Sequence, residues 1–113
     1  MSTLNVLIDR AVSTALKRPA VRQFLVGAAA LRSDGAIVCS RNEASVVPTP
    51  GAHAEARLVR KLGRDAKMIV VVRISKDTGS LVMAKPCSTC AAILKSYRVE
   101  KIFYSTENGM EEG

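Results

Sequence analysis

The unbroken apolar run Met68-Ile69-Val70-Val71-Val72 constrains the fold of this chain more than any other segment. Its β-branched residues favour an extended strand. The run lacks the alternation of apolar and polar residues that a half-exposed strand shows, so it predicts a central strand buried on both faces. Such a strand requires a covering layer on each side of its sheet. With 113 residues, the chain is long enough for one domain with a substantial core.

Helical patterns and short strands alternate around this run. Apolar residues recur at helical spacing between Leu4 and Leu16, with Ser2 or Thr3 to cap the start and Pro19 to bar continuation. The pattern predicts two further helices and five strands: helices over 52–62 and 87–97, and strands over 26–31, 36–40, 68–72, 81–83 and 101–104. We therefore expect an α/β fold, a three-layer α/β/α sandwich around a mixed sheet of four to five strands. We expect a single domain over residues 1–113, with a loose polar tail over 105–113.

Composition and charge narrow the functional classes. The formal net charge is +7, but the basic residues are scattered and the aromatic residues are only two Phe and two Tyr. Four aromatic residues are few for a surface that stacks the bases of single-stranded nucleic acid, so a nucleic-acid partner is less favoured. No apolar run is long enough to span a membrane, and the N-terminus lacks the layout of a signal peptide. Three cysteines argue against a disulfide framework and favour a reducing, cytoplasmic setting.

Two short motifs carry the chemistry of the chain: His53-Ala54-Glu55 and Pro86-Cys87-Ser88-Thr89-Cys90. They offer one imidazole and two thiolates, and three protein ligands with an open fourth position form a catalytic zinc site. Each motif falls at the predicted start of a helix, where the helix dipole and free N–H groups favour thiolate over thiol. Glu55 can flank such a site without binding the metal, and a carboxylate there can accept and deliver protons.

A Cys-x-x-Cys pair alone would also fit a structural zinc site or a redox pair. The redox interpretation leaves Glu55 and the chain's single histidine, His53, without a role. The order His-x-Glu followed by Pro-Cys-x-x-Cys is the signature of zinc-dependent nucleobase deaminases. The motifs therefore favour an enzyme in which water replaces an amino group on a heterocycle and ammonia leaves.

The same residues resemble the cytidine deaminase-like superfamily, and the resemblance covers roughly residues 4–104. The segment 24–29, Phe-Leu-Val-Gly-Ala-Ala, looks like the F-x-V-G-A-A strand entry of free-nucleoside cytidine deaminases. Asp34-Gly35 matches their hairpin turn, and Asn42 falls where that family places an asparagine that binds a sugar hydroxyl. The segment 85–94 is similar to their second zinc motif and its helix.

The resemblance implies a role for each residue of the two motifs that bears on the reaction. His53, Cys87 and Cys90 would bind a Zn²⁺ cofactor, and Glu55 would be the catalytic proton shuttle. Ala54 would offer its backbone amide near the target base.

The resemblance also implies a small-molecule substrate. Phe24 would pack near the base and Asn42 would contact a sugar or the base edge, with core packing and a loop-entry turn as the alternative roles. The chain departs from the family at Ala44, where cytidine deaminases place a second, sugar-binding glutamate. A cytosine nucleoside or nucleotide is the expected substrate. A guanine, pterin or adenine ring, or a base in DNA or tRNA, remains an alternative, and a zinc-stabilised binding module is the least favoured function.

The resemblance bears on assembly as well. The sequence stops soon after Tyr104, where relatives usually continue with further elements that help to close the pocket. A neighbouring subunit would then supply that wall. We therefore expect a homo-oligomer, a dimer or a tetramer.

Overall fold

The computed structural model describes residues 2–16, 24–41, 58, 61, 66–75, 78–84 and 99–113. These residues form a mixed sheet of six strands and a helix, which confirms the expected α/β class with one strand more than the expected four to five. The elements are α1 (Thr3–Ala15), β1 (Phe24–Arg32), β2 (Ile37–Arg41), β3 (Ala66–Ser75), β4 (Leu81–Val82), β5 (Lys101–Thr106) and β6 (Gly109–Glu112). Within these ranges, no helix has the length and hydropathy needed to cross a membrane.

Strand β3 is the centre of the sheet, whose strand order is β2-β1-β3-β5-β6. It pairs with β1 in antiparallel fashion along one edge, from Phe24 opposite Ser75 to Arg32 opposite Ala66. On its other edge it pairs first with β5, in parallel, and then with β4, in antiparallel fashion. One edge of the central strand is therefore shared by two strands that follow each other along it.

The side chains of β3 alternate between two cores, as strand geometry requires. Ala29, Val70 and Val72 face α1 and form one cluster with Leu7 and Ala11 of the helix. The opposite face has its own cluster, whose buried members are Ala28, Ala30, Leu58, Ala66, Ile69, Val71, Ala84 and Tyr104. The residues from Ile69 to Val72 have no solvent exposure, which confirms the prediction of a central strand covered on both faces.

Helix α1 begins at the predicted cap and packs unusually close to the sheet. The Ser2 hydroxyl accepts a hydrogen bond from the Asn5 amide at 3.2 Å, as an N-cap residue does. A Cβ atom added to Gly27 of β1 would collide with the backbone carbonyl oxygen of Ala11. Glycine at this position therefore lets the helix backbone rest directly on β1.

The predicted helices over 52–62 and 87–97 lie outside the described residues, with two exceptions. Leu58 and Lys61 are described, and both have helical backbone. Leu58 is fully buried on the sheet face opposite α1, so a helical residue covers that face as the three-layer prediction requires.

The end of the sequence differs from the prediction of a loose tail over 105–113. Strand β5 continues to Thr106, and β6 returns antiparallel to it. The Thr106 hydroxyl accepts a hydrogen bond from the Asn108 amide at 3.1 Å and donates one to the Gly109 carbonyl at 2.9 Å, and Gly109 adopts a φ of 125°. The polar residues misled the prediction because β6 is an edge strand with mostly exposed side chains, held by backbone pairing rather than by burial.

Candidate functional site

The structure describes few of the predicted site residues directly. Phe24 is the first residue of β1, and its backbone pairs with Ser75, the last residue of β3. The other predicted site residues lie outside the described part of the chain: Asn42, His53, Ala54, Glu55, Cys87 and Cys90. Among the described positions, no three His, Cys, Asp or Glu side chains form a group that could hold a metal ion. The described residues that flank the two motifs therefore indicate where the candidate site lies.

The chain segments next to several predicted site residues lie at one end of the sheet. Phe24 opens β1 at this end, and β2 ends there at Arg41, directly before Asn42. The carboxyl ends of β3 and β5 lie at the same end, because β3 is antiparallel to β1 and parallel to β5. Ligands of open α/β sheets bind outside the carboxyl ends of the strands. The start of β1 and the residue before Asn42 are thus brought to the end of the sheet where such sites form.

The residues that flank the two zinc motifs belong to one core cluster. Leu58, three residues after Glu55, is fully buried, and Ala84, three residues before Cys87, is 7% exposed. Both lie on the sheet face opposite α1. Glu55 and Cys87 are each only three positions along the chain from one of these two buried residues. The fold therefore holds the flanks of both motifs on one face of the sheet.

Lys61, which sequence analysis did not identify, lies after the first zinc motif and hydrogen-bonds to the edge strand β2. The Lys61 ammonium group donates a hydrogen bond to the Cys39 carbonyl oxygen in β2, at 2.9 Å. The Cys39 side chain itself packs with the cluster on the α1 face. Its thiol is therefore on the other side of the sheet from Leu58 and Ala84.

The buried residue Ser105 hydrogen-bonds to the residues that precede the second zinc motif. The Ser105 hydroxyl of β5 accepts a hydrogen bond from the Arg73 amide at 3.0 Å and donates one to the Val82 carbonyl at 2.7 Å. In addition, the Ala84 amide donates to the Ser105 carbonyl oxygen at 2.9 Å. Ser105 has no solvent exposure. No sequence signal separates this serine from the polar residues that follow it, because its partners are backbone groups on other strands.

Tyr104 contributes a titratable group to the same core cluster. Its side chain is 8% exposed, and its hydroxyl donates a hydrogen bond to Glu111 Oε2 at 3.3 Å. Burial raises the pKa of Tyr104 above its ordinary value, and the negative charge of Glu111 and the hydrogen bond to it act in the same direction. The phenol is therefore a neutral hydrogen-bond donor well into the alkaline range.

The sequence matches one protein family over nearly its whole length. The family model, described as the cytidine and deoxycytidylate deaminase zinc-binding region, matches residues 1–106. This match confirms the expected superfamily and the expected class of enzyme, a hydrolytic deaminase. The family is defined by a zinc-binding region, and the donor set of His53, Cys87 and Cys90 fits that ion, since imidazole nitrogen and thiolate sulfur are ligands that zinc prefers.

Solved structures share the fold at low sequence identity. Cytidine deaminase from Mycobacterium leprae is 20% identical, with a TM-score of 0.68 over 99% of this chain and 94% of that one. Cytidine deaminase from Mycobacterium tuberculosis is 24% identical, with a TM-score of 0.66 over 99% and 91% of the two chains. The enzyme from Burkholderia pseudomallei is 18% identical, with a TM-score of 0.71 over 100% and 92%. A comparison with curated protein sequences found no match.

Proposed function

We propose that this chain, which belongs to the family of cytidine and deoxycytidylate deaminases, uses zinc to convert the amino group of cytidine, deoxycytidine or one of their nucleotides to a carbonyl, with release of ammonia. The observation that carries the proposal is the shared core cluster of Leu58 and Ala84. It holds the flanks of the His53 and Cys87 motifs on one face of the sheet, as a joint site requires.

Each motif residue has a part in the proposed reaction. His53, Cys87 and Cys90 would hold the metal, and the chemistry that a zinc ion supplies there is to lower the pKa of a water molecule towards about 7. Glu55 would accept a proton from that water and deliver protons to the ring nitrogen and to the departing amine. The oxygen of the water becomes the carbonyl oxygen of the product, and the amino group leaves as ammonia. The Ala54 amide would face the target base.

Substrate recognition is proposed for two residues at the same end of the sheet. Phe24 opens β1 there, and Asn42 follows the last residue of β2, Arg41. This common position supports a pocket in which Phe24 packs near the base and Asn42 binds a sugar hydroxyl or the base edge. Ala44 stands where cytidine deaminases place a sugar-binding glutamate, so guanine, pterins, adenosine and oligonucleotides belong in the substrate screen.

Release of ammonia from a panel of amino-heterocycles tests the function. The panel contains cytidine, deoxycytidine, their monophosphates, adenosine, guanine, a pterin, single-stranded DNA and tRNA. We expect turnover of the cytosine nucleosides or nucleotides. Glu55→Gln should abolish turnover while zinc content stays unchanged, and Glu112→Gln, on the exposed strand β6, should leave both unchanged. Full activity of Glu55→Gln would contradict the mechanism, and turnover of another ring alone would contradict the substrate.

We also propose that the chain is a single cytoplasmic domain that forms a homo-oligomer. The two clusters that share one sheet support a single domain. Leu16 and Met83, 57% and 50% exposed, are large apolar side chains that association would cover, and Met83 directly precedes Ala84 beside the proposed site. Light scattering at micromolar concentration is expected to give the mass of a dimer or a tetramer; the mass of a monomer would contradict assembly.

A further inference from the structure

The Ser105 hydroxyl lies where the edge of the central strand changes partner. Strand β5 pairs with β3 up to Tyr104 opposite Val71, and β4 pairs with it from Val82 opposite Arg73. Between these two pairings the regular ladder is interrupted. The Ser105 side chain occupies the interruption, accepting from the Arg73 amide at 3.0 Å and donating to the Val82 carbonyl at 2.7 Å. One hydroxyl thereby joins β3, β4 and β5.

We propose that Ser105 is a positioning residue for the second zinc motif: its hydroxyl fixes the point at which the chain leaves the sheet, and thereby the placement of Cys87 and Cys90. The inference rests on the proposed function. It assigns no contact between Ser105 and the metal or the substrate.

The position of Ala84 shows how the effect reaches the motif. The Ala84 amide donates to the Ser105 carbonyl oxygen at 2.9 Å, and the residue is buried in the cluster that contains Leu58. Ser105 therefore binds the departing chain twice, through its side chain at Val82 and through its backbone at Ala84. Only two residues lie between Ala84 and Cys87, so a displacement of Ala84 is passed to the first thiolate with little chain to absorb it. Zinc requires sulfur at about 2.3 Å, which leaves little tolerance for a displaced ligand.

The burial of Ser105 makes the hydroxyl hard to replace. The residue has no solvent exposure, so water has no open route to the two backbone groups that the hydroxyl serves. Removal of the hydroxyl from a buried bridge leaves its donor and acceptor partners without compensation. We expect Val82 to shift in response, because β4 is only two residues long and pairs with β3 at two positions.

A merely structural role for Ser105 predicts a loss of stability and nothing more. Thr14→Val supplies the matched control, since Thr14 is 7% exposed and its hydroxyl donates to the Arg10 carbonyl at 2.7 Å within α1 and not to β4. Ser105→Ala and Thr14→Val both delete one buried hydroxyl that bonds to backbone. Only Ser105→Ala removes the bridge beside β4.

The test compares metal affinity with stability in the purified apoprotein. Zinc affinity is measured by competition with a chromophoric chelator, ligand geometry by the thiolate absorption of the Co²⁺-loaded protein, and stability by urea unfolding of the apoprotein. We expect Ser105→Ala to lower zinc affinity 10- to 100-fold and to alter the Co²⁺ spectrum, a range typical of residues that orient metal ligands. Thr14→Val should keep both at the wild-type level. Equal zinc affinity in Ser105→Ala and wild type would overturn the inference.

A second pair keeps the test decisive if Ser105→Ala does not fold. Ser105→Thr and Ser105→Val have the same shape and differ in the hydroxyl, so we expect higher zinc affinity in Ser105→Thr, and equal affinities would overturn the inference. The wild-type protein separates this inference from the proposed function. Zinc binding and deamination by wild type, with no change in the Ser105 variants, would leave the function intact and remove the positioning role. A wild type that binds no zinc would overturn both.

Discussion

The backbone carbonyl oxygen of Ala11 lies so close to the Cα atom of Gly27 that no Cβ atom fits between helix α1 and strand β1. A Cβ atom added to Gly27 would also lie only 2.9 Å from the Ala15 Cβ atom. Gly27 belongs to the Phe-Leu-Val-Gly-Ala-Ala segment that resembles the strand entry of cytidine deaminases. The glycine in that segment therefore has a packing role on the α1 side of the sheet.

Gly27→Ala is expected to destabilise the protein by about 1–3 kcal/mol, the usual cost of overpacking a well-filled core. The free energy of unfolding from urea titration measures the effect. Ala15→Gly in the same protein should not restore stability, because the closer obstacle is the backbone of Ala11 and not the Ala15 side chain. Full recovery in the double variant would show that the Ala15 side chain, and not the Ala11 backbone, is the obstacle.

Leu58→Ala tests whether the core cluster supports the site. Leu58 and Leu7 are both fully buried leucines, on opposite faces of the sheet. Each substitution with alanine should cost about 2–5 kcal/mol of stability. Leu58→Ala alone should also lower deaminase activity and zinc affinity, because Leu58 lies three residues after Glu55.

Equal effects of Leu58→Ala and Leu7→Ala on zinc affinity, measured under conditions where both variants are folded, would speak against this support. The comparison matters because loss of stability alone does not distinguish the two faces.

Tyr104 is expected to titrate above its ordinary pKa of 10.0. Because the folded protein favours the neutral phenol, this preference stabilises the fold fully below pH 10 and is lost as the pH rises through the raised pKa. The tyrosinate absorbance of a Tyr97→Phe variant reports Tyr104, since the chain has only two tyrosines. Glu111→Gln should lower the pKa of Tyr104 without returning it to 10.0, because burial persists.

Glu112→Gln serves as the control for that titration. Its carboxylate lies on the same strand, β6, as Glu111, whose side chain accepts the Tyr104 hydrogen bond. An equal shift in the Glu111 and Glu112 variants would indicate a general charge effect in place of the hydrogen-bonded pair.

Removal of the metal should abolish activity and leave the sheet folded. Both core clusters pack apolar side chains against the two faces of the sheet, so the described sheet has a source of stability that does not depend on a metal. This distinguishes the chain from small zinc domains that unfold without metal. Circular dichroism after chelation should retain the β-sheet signal, and added zinc should restore turnover. A loss of the signal on chelation would mean that the metal holds the fold together.

The parts of the fold that depend on side-chain burial could be predicted from the sequence. The apolar run that begins at Met68 identified the central strand, and the choice of Ser2 or Thr3 as the cap identified the start of α1, where the structure has Ser2. The parts that depend on backbone partners could not. Strand β6 was missed because its side chains are mostly exposed, and β3 extends to Ser75 because β1 and β4 pair with its polar end.

The same distinction between side-chain type and backbone partner applies to the candidate site. Residue types and spacing alone lead to the proposal that His53, Glu55, Cys87 and Cys90 carry the chemistry. The groups that fasten the flanks, Lys61 and Ser105, bond to backbone carbonyls and amides of distant strands. Such a partner cannot be recognised from residue types, because every residue has a backbone carbonyl.

The shared edge of β3 has a practical consequence for engineering. The chain leaves the sheet at Ala84, whose amide bonds to the Ser105 carbonyl oxygen of β5, and rejoins it at Lys101, which lies opposite Met68 of β3. The segment 85–100 is therefore a cassette with two fixed splice points. We expect segments of equal length from other deaminases, with both cysteines kept, to be exchangeable there without redesign of the sheet. Libraries of substrate specificity can accordingly be built by exchange of this cassette on a constant scaffold.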